Sequence, residues 1–245
     1  MALADLNLRL NEGDFVTVIG GNGAGKSTML NAVAGVWSVD EGEIIIDGKD
    51  VTAKPEYKRA AVIGRVFQDP MMGTAATMGI DENLALAARR GSSRTLRSGI
   101  TKKEHEEYYE LLKTLDLGLE ERMTSKVGLL SGGQRQAVTL LMATLKKPQL
   151  LLLDEHTAAL DPKTAAKVLA LSDKIVHENH LTTLMITHNM KDAIKYGNRL
   201  IMMYEGHIIY DVRGEEKASL QVKDLLARFE QVSDSEFAND RMLLS

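Results

Sequence analysis

Apolar positions along the chain fall into short runs separated by longer stretches with helical spacing. Phe15–Ile19 is apolar and β-branched and runs into Gly20 and Gly21, which predicts a buried strand entering a tight turn. Ser27–Ala34 then has helical character and stops at Gly35. Glu43–Ile46 followed by Asp47-Gly48 reads as a strand leading into a hairpin turn. Val62–Phe67 reads as a further strand, ending in the polar Gln68-Asp69-Pro70. Beyond it, Asp81–Arg90 and Lys102–Leu117 carry helical patterns, separated by the basic, Gly/Ser-rich Arg89–Gly99. Then Gly133–Lys146 reads as a helix, Leu150–Leu153 as a strand, and Pro162–Asn179 as a helix with proline at its first position. Thr182–Thr187 predicts a strand, Met190–Tyr196 a short helix, and Arg199–Tyr204 and His207–Val212 two more strands. Val222–Phe229 predicts a last helix, and Ser233–Ser245 a loose tail.

Strands alternating with helices predict a largely parallel sheet covered on both faces, an α/β fold. The block from Met71 to Gly128 interrupts the alternation and reads as a helical lobe inserted into that core. No internal repeat and no long low-complexity segment is present.

Composition narrows the chemistry. The 245 residues suffice to bury a core without staples. Thirty Lys and Arg against 34 Asp and Glu leave a net charge of −4, without the basic stripe that phosphate-backbone binding uses, so no nucleic-acid partner is expected. With no cysteine there is no disulfide framework, Cys-ligated metal or thiol nucleophile. No run approaches the ~18 apolar residues of a membrane span. Met1-Ala2-Leu3-Ala4-Asp5 has neither part of a secretory signal, so the expectation is a cytosolic chain that meets a membrane only through a partner.

Three motifs carry chemistry. Gly20-Gly21-Asn22-Gly23-Ala24-Gly25-Lys26-Ser27 has phosphate-loop spacing after a strand and before a helix. Its glycines let successive N–H groups face one anion, and the helix directs its positive end at the same point. Lys26 can reach the β- and γ-phosphates, and the Ser27 hydroxyl can ligate Mg²⁺. Leu150–Leu153 delivers Asp154 and Glu155 to the carboxyl end of a strand, where open α/β sheets bind ligands. Asp154 is placed to hold Mg²⁺ through its water shell, and Glu155 to polarise an attacking water as general base. In Leu130-Ser131-Gly132-Gly133-Gln134, Ser131 is a good N-cap and the glycines bare the N–H groups at a helix start, making a second anion site.

Taken together, Gly20–Thr28, Gln68, Leu130–Gln134, Leu150–Glu155, Ala158-Ala159-Leu160-Asp161 and His188 resemble the ATP-binding cassette (ABC) ATPases, in order and over nearly the whole chain. The resemblance implies a P-loop NTPase core with a mostly parallel sheet, an antiparallel β subdomain and an inserted α-helical lobe. It implies one domain over 1–245, with the core in 1–70 and 129–231, the lobe in 71–128 and a tail over 232–245. Gly20, Gly21, Asn22, Gly23, Ala24, Gly25, Lys26, Ser27 and Thr28 would bind ATP, with Mg²⁺ at Ser27, Gln68 and Asp154. Catalytic roles would fall to Glu155, Lys26 and His188, the last binding the γ-phosphate and helping to position water. Gln68 would also report to a membrane partner. Two cassettes would face head to tail, with Ser131, Gly132, Gly133 and Gln134 forming the second nucleotide contact, Ser131 and Gly133 acting in trans, and Asp161 along the dimer interface. Taken singly, His188 after a strand also reads as structural and Gln68 as a solvated side chain.

Val66-Phe67-Gln68-Asp69-Pro70, Gly73-Thr74-Ala75, Glu82–Ala87 and Asp154-Glu155-His156-Thr157 are similar to cassettes of bacterial uptake systems. Those work with an integral membrane permease and, indirectly, a substrate-binding lipoprotein, and some handle aromatic amino acids. His156 stands where most cassettes have proline, and Ser125–Leu129 lacks the acidic pattern of exporters, so the resemblance implies import at the inner face of the cell membrane. Against the family pattern the chain starts late, at Leu3–Leu8, and no aromatic precedes Phe15 to stack on adenine. That departure implies a missing amino-terminal strand and adenine-stacking loop, and weaker ATP affinity than in a chain extended upstream.

Several readings stay open at this level. Arg89, Arg90, Arg94, Arg97, Lys102 and Lys103 suit contact with lipid headgroups or a permease, or form a solvated loop balanced by Glu104, Glu106 and Glu107. Met71, Met72, Met78 and Ile80 suit an adaptable docking groove or the lobe's own core. A non-transport cassette would need long heptads, zinc cysteines or a second cassette, none of which is present. A regulatory module with a weakened site is the other alternative, and a GTPase lacks its Asn-Lys-x-Asp base reader.

Overall fold

The apolar runs become the strands of one sheet. A computed structural model describes residues 2–92 and 99–231 of the chain. Phe15–Gly20 (β1), Ile63–Val66 (β4), Leu150–Asp154 (β5), Thr183–Ile186 (β6), Arg199–Tyr204 (β7) and His207–Arg213 (β8) lie in the order β4-β5-β6-β1-β7-β8. All neighbours are parallel except β7 and β8. That pair turns at Glu205 and Gly206, both at positive φ, as a two-residue hairpin requires. Ile45–Ile46 (β2) and Lys49–Asp50 (β3) form a separate antiparallel pair around Asp47 and Gly48, shorter than the strand predicted from Glu43.

Burial on both faces explains the four leucines of β5. Leu152 packs with Val16, Val18, Ile186, Met29 and Leu30 on one side of the sheet. Leu151 and Leu153 pack with Leu140, Leu169 and Val176 on the other. Side chains of a strand alternate between faces, so a strand covered on both sides is apolar at every position. The covering helices are Lys26–Ala34 (α1) on the first side, and Gly132–Thr144 (α5) and Pro162–Asn179 (α6) on the second.

Between β4 and β5 the chain builds a helical lobe from Ile80–Ala88 (α3) and Lys102–Lys113 (α4). Its core joins Ile80, Leu84, Tyr108, Leu112, Leu119 and Val127 to Ala137, Val138 and Leu141 of α5. One helix therefore serves two cores, since Leu140 and Ala143 of α5 face the sheet. Met71 and Met72 are exposed while Ile80 is fully buried, so the apolar stretch splits between surface and core. Arg89 pairs with Glu104 at 3.0 Å and Lys103 with Glu107 at 3.8 Å, the balanced arrangement. Arg94 and Arg97, like the tail from Ser233, lie outside the described residues.

Boundaries differ where the backbone turns. The α4 helix ends at Lys113, short of Leu117, because Asp116 and Gly118 adopt positive φ and bring Leu119 back into the lobe core. Helices Glu56–Arg59 (α2) and Gly214–Ser219 (α8) are too short to show a periodicity, and each is tied down by a buried cation. Arg59 donates to the carbonyls of Ala32, Val33, Thr52 and Lys54. Lys217 donates to those of Ile194, Tyr196 and Gly197, closing the end of Met190–Lys195 (α7). A final helix over 222–231 starts as predicted and buries Leu225.

His156 leaves β5 into the core, where its Nε2 lies 2.8 Å from the Ser172 hydroxyl of α6. That hydroxyl donates to the Val168 carbonyl, so the imidazole Nε2–H is the donor. Burial lowers its pKa from 6.5 to about 4. The unfolded chain takes up the proton first on acidification, so stability falls as pH drops from about 6.5 to about 4, on the order of 3 kcal/mol from this group. His156→Leu should flatten that part of the profile, as measured by urea unfolding at pH 6.5 and pH 4.5. An unchanged slope would contradict the assignment.

Candidate functional site

At the carboxyl edge of the sheet β1 ends in the glycine-rich loop. A Cβ at Gly20 would sit 2.3 Å from the Met203 carbonyl oxygen of β7, so only glycine fits there. Gly25, at φ 93°, precedes α1, and no side chain caps that helix. The first-turn N–H groups of α1 therefore lack an intrahelical or side-chain acceptor and are available to an anion. The Lys26 ammonium donates to the Gly20 and Gly21 carbonyls at 2.8 and 2.9 Å, which ties the loop in its curved shape. Burial lowers the Lys26 pKa, and the nearby Glu155 and Asp154 pull it back up.

The loop forms one wall of a cleft of about 270 Å³, lined by Ala2, Asn22, Gly23, Ala24, Gly25, Lys26, Ser27, Thr28, Gln68, Glu155 and His188. Residues far apart in sequence are thus brought together as expected, with Ala2 an unanticipated addition. Glu155 carries a left-handed backbone at φ 47°, an uncommon state for a non-glycine residue that turns its side chain off the strand end. Its Oε1 lies 2.6 Å from His188 Nε2. The carboxylate is 10% exposed and the imidazole 48%, so the pair sits with its carboxylate inward and its histidine toward the opening.

Asp154 stands behind this pair. Its Oδ2 accepts from Arg65 Nη2 at 3.3 Å, and the same nitrogen donates to Asn31 Oδ1 of α1 at 2.7 Å. Arg65 went unremarked in the sequence, although a charge inside the apolar run Val62–Phe67 was a visible signal.

The second anion motif lies outside the cleft. Ser131 and Gln134 cap the start of α5 reciprocally: the Ser131 hydroxyl accepts from the Gln134 N–H, and the Gln134 side chain accepts from the Ser131 N–H. Ser131 and Gly132 are exposed, while Gly133 is buried. A Cβ on Gly133 would lie 2.2 Å from Thr164 Cγ2 of α6, so this glycine is required by helix packing as well as by any ligand. Asp161 caps α6 by accepting from the Thr164 N–H at 3.1 Å, and hydrogen bonds from the Thr164 side chain first and its backbone second hold the carboxyl below the usual range. The α5 and α6 starts, and hence Ser131 and Asp161, form one exposed corner.

A glycine-rich phosphate loop before an uncapped helix, with a carboxylate pair at the end of the second strand away, defines a P-loop nucleotide-binding ATPase. Residues 3–158 match the family model of the ABC transporter ATPase domain, described as "ABC transporter". The chain is 46% identical over 226 residues to the tyrosine transport ATP-binding protein of Clostridioides difficile strain R20291, covering 92% of this chain and 90% of that one. It is 31% identical to the phosphonates import ATP-binding protein PhnC of Lactobacillus acidophilus, covering 88% and 84%. Its fold superposes with a TM-score of 0.73 on the dimeric post-hydrolysis state of the cassette MJ0796 bound to ADP and Pi, at 32% identity over 86% of this chain and 90% of that one. The chain belongs to the ABC transporter family and is an ATP-binding, ATP-hydrolysing subunit. No helix among the described residues is long and apolar enough to cross a membrane.

Gly133→Ala should cost about 1–3 kcal/mol in the nucleotide-free protein through overpacking against Thr164. Thr164→Ser removes the clashing methyl and should recover most of that loss. A double-mutant cycle by chemical unfolding checks it, and additive losses would show that the contact does not limit this position.

Proposed function

We propose that this cassette powers the import of an aromatic amino acid, tyrosine foremost, through a separate integral membrane permease at the inner face of the membrane. A substrate-binding lipoprotein would deliver the solute from outside. The 46% identity to a relative named for tyrosine transport supports the solute class. The exposed Met71 and Met72, at the edge of the lobe beside Gln68, support a permease contact there.

The reading of the site rests on one observation: the 2.6 Å pairing of Glu155 with His188 at the mouth of the phosphate-loop cleft. Glu155 takes the general-base role, polarising water toward the terminal phosphorus, and His188 holds that carboxylate and meets the γ-phosphate. Lys26 exchanges its loop carbonyls for the β- and γ-phosphates, and the α1 N–H groups receive the remaining phosphate charge. Ser27, Gln68 and Asp154 supply a hydroxyl, an amide and a carboxylate, an all-oxygen set that fits Mg²⁺. When bound, Mg²⁺ neutralises charge on the β- and γ-phosphate oxygens.

Two copies act as a head-to-tail pair, the exposed Ser131 corner of one closing over the nucleotide of the other. The dimeric MJ0796 cassette supports this pairing. In this reading residues 71–128 are the lobe that moves with the permease, on the core in 1–70 and 129–231.

Glu155→Gln should bind ATP, pair into dimers seen by size exclusion and lose hydrolysis by about 10²-fold or more. Lys26→Ala should lose tight ATP binding. Unimpaired turnover in Glu155→Gln would remove Glu155 as the base. Uptake of labelled tyrosine by cells carrying the transporter should stop with either variant; retained tyrosine uptake alongside lost phosphonate uptake would replace the solute.

A further inference from the structure

Resting on the ATPase reading, we propose that Arg65 is a positioning residue that makes divalent-cation binding at Asp154 conditional on the nucleotide. Arg65 of β4 pairs in register with Leu152 of β5, two residues before Asp154. Alternation puts Leu152 and Asp154 on the same face, the one covered by α1, and Arg65 lies on that face too.

The guanidinium is fixed from several sides. Nη2 donates 2.7 Å to Asn31 Oδ1, and the group stacks 4.6 Å from the Phe67 ring centre. The side chain is only 13% exposed, and its Nε is buried without a hydrogen-bond partner. Its contact with Asp154 is the longer one, at 3.3 Å. Arg65 is therefore anchored by Asn31 and Phe67 and presents its guanidinium charge to Asp154.

The charge count explains the consequence. Asp154 and Glu155 are adjacent carboxylates in a largely enclosed site; among the described residues Lys26 and Arg65 stand against them, with His188 on Glu155. Without Arg65 the carboxylates would outnumber Lys26 and offer free divalent cations a negative site. With Arg65 the two charges of each sign balance, and a dication approaching Asp154 meets a like charge a few ångströms away. ATP reverses the balance by bringing its own negative charge. The cation then enters with the nucleotide rather than before it.

Mn²⁺ titration by electron paramagnetic resonance tests this on the full chain, without nucleotide and with ATP in the Glu155→Gln background. Arg65→Met should raise nucleotide-free Mn²⁺ affinity by about tenfold or more, and added Asp154→Asn should abolish the gain. Arg65→Lys, which keeps the charge, should behave as the parent, and affinity in the ATP complex should change far less. Unchanged or weaker nucleotide-free binding in a folded Arg65→Met chain overturns the proposal, since a purely structural strut would move stability alone. If Arg65→Met does not fold, Arg65→Gln, which retains a donor to Asn31, carries the same test. ATP binding by the parent and its loss in Lys26→Ala separate the two readings: without that binding the ATPase reading falls, whereas binding without the Mn²⁺ gain removes only Arg65.

Discussion

A helix start left without a side-chain cap is the constraint on which the nucleotide end depends. Most helices satisfy their first N–H groups with Ser, Thr, Asp or Asn, and α5, α6 and α7 do so here through Ser131, Asp161 and Asn189. The α1 helix has Gly25 instead. Its first residues line the cleft. Lys26 bonds the Gly20 and Gly21 carbonyls from within the loop. The same ammonium is the group proposed for the β- and γ-phosphates, so one side chain serves both the loop's shape and the proposed contact.

The sheet order does the rest of the positioning. Strands β1 and β5 are separated by β6 but run parallel, so their ends meet at one edge. The phosphate loop and the carboxylate pair arrive there from segments more than a hundred residues apart because each strand is buried on both faces and has one register. Glu155 departs from the strand geometry at that point. Its positive φ is a local strain that the neighbouring pairings hold, including its N–H donation to the Ile186 carbonyl.

The shared helix α5 ties the lobe to this edge. Its exposed start carries Ser131, its middle packs on both the lobe core and the sheet, and its buried Gln136 donates to the Phe67 carbonyl at 3.0 Å. Phe67 immediately precedes Gln68 and stacks against Arg65. A displacement of the lobe therefore meets the Gln68 segment through a hydrogen bond in the core rather than through solvent. The Gln136 Oε1 has no partner in that core, so the contact holds only part of the amide's bonding capacity.

Much of this molecule was legible in its sequence because the signals are local. Gly20–Ser27 needs only a strand before it and a helix after it, and Leu150–Glu155 only a doubly covered strand, so both motifs and the α/β alternation could be read from residue order. The Pro162–Asn179 helix was legible with proline at its first position, and the structure ends it with His180 in a left-handed cap. The short helices at Glu56–Arg59 and Gly214–Ser219 were not legible, since they owe their form to Arg59 and Lys217 reaching distant carbonyls rather than to any pattern of their own. Arg65 shows in the sequence as a charge within an apolar run, but what it faces does not. Its partners Asn31 and Asp154 lie 34 and 89 positions away, and only the β4–β5 register puts all three on one face. Residue order thus determined the chemical groups and the strands that carry them, because backbone propensity and burial act over a few residues. Which groups face one another, which glycine is forced by a neighbouring helix, and which charge stands behind Asp154 were decided only when the strands took their places in the sheet, because electrostatic and packing contacts depend on distance in space.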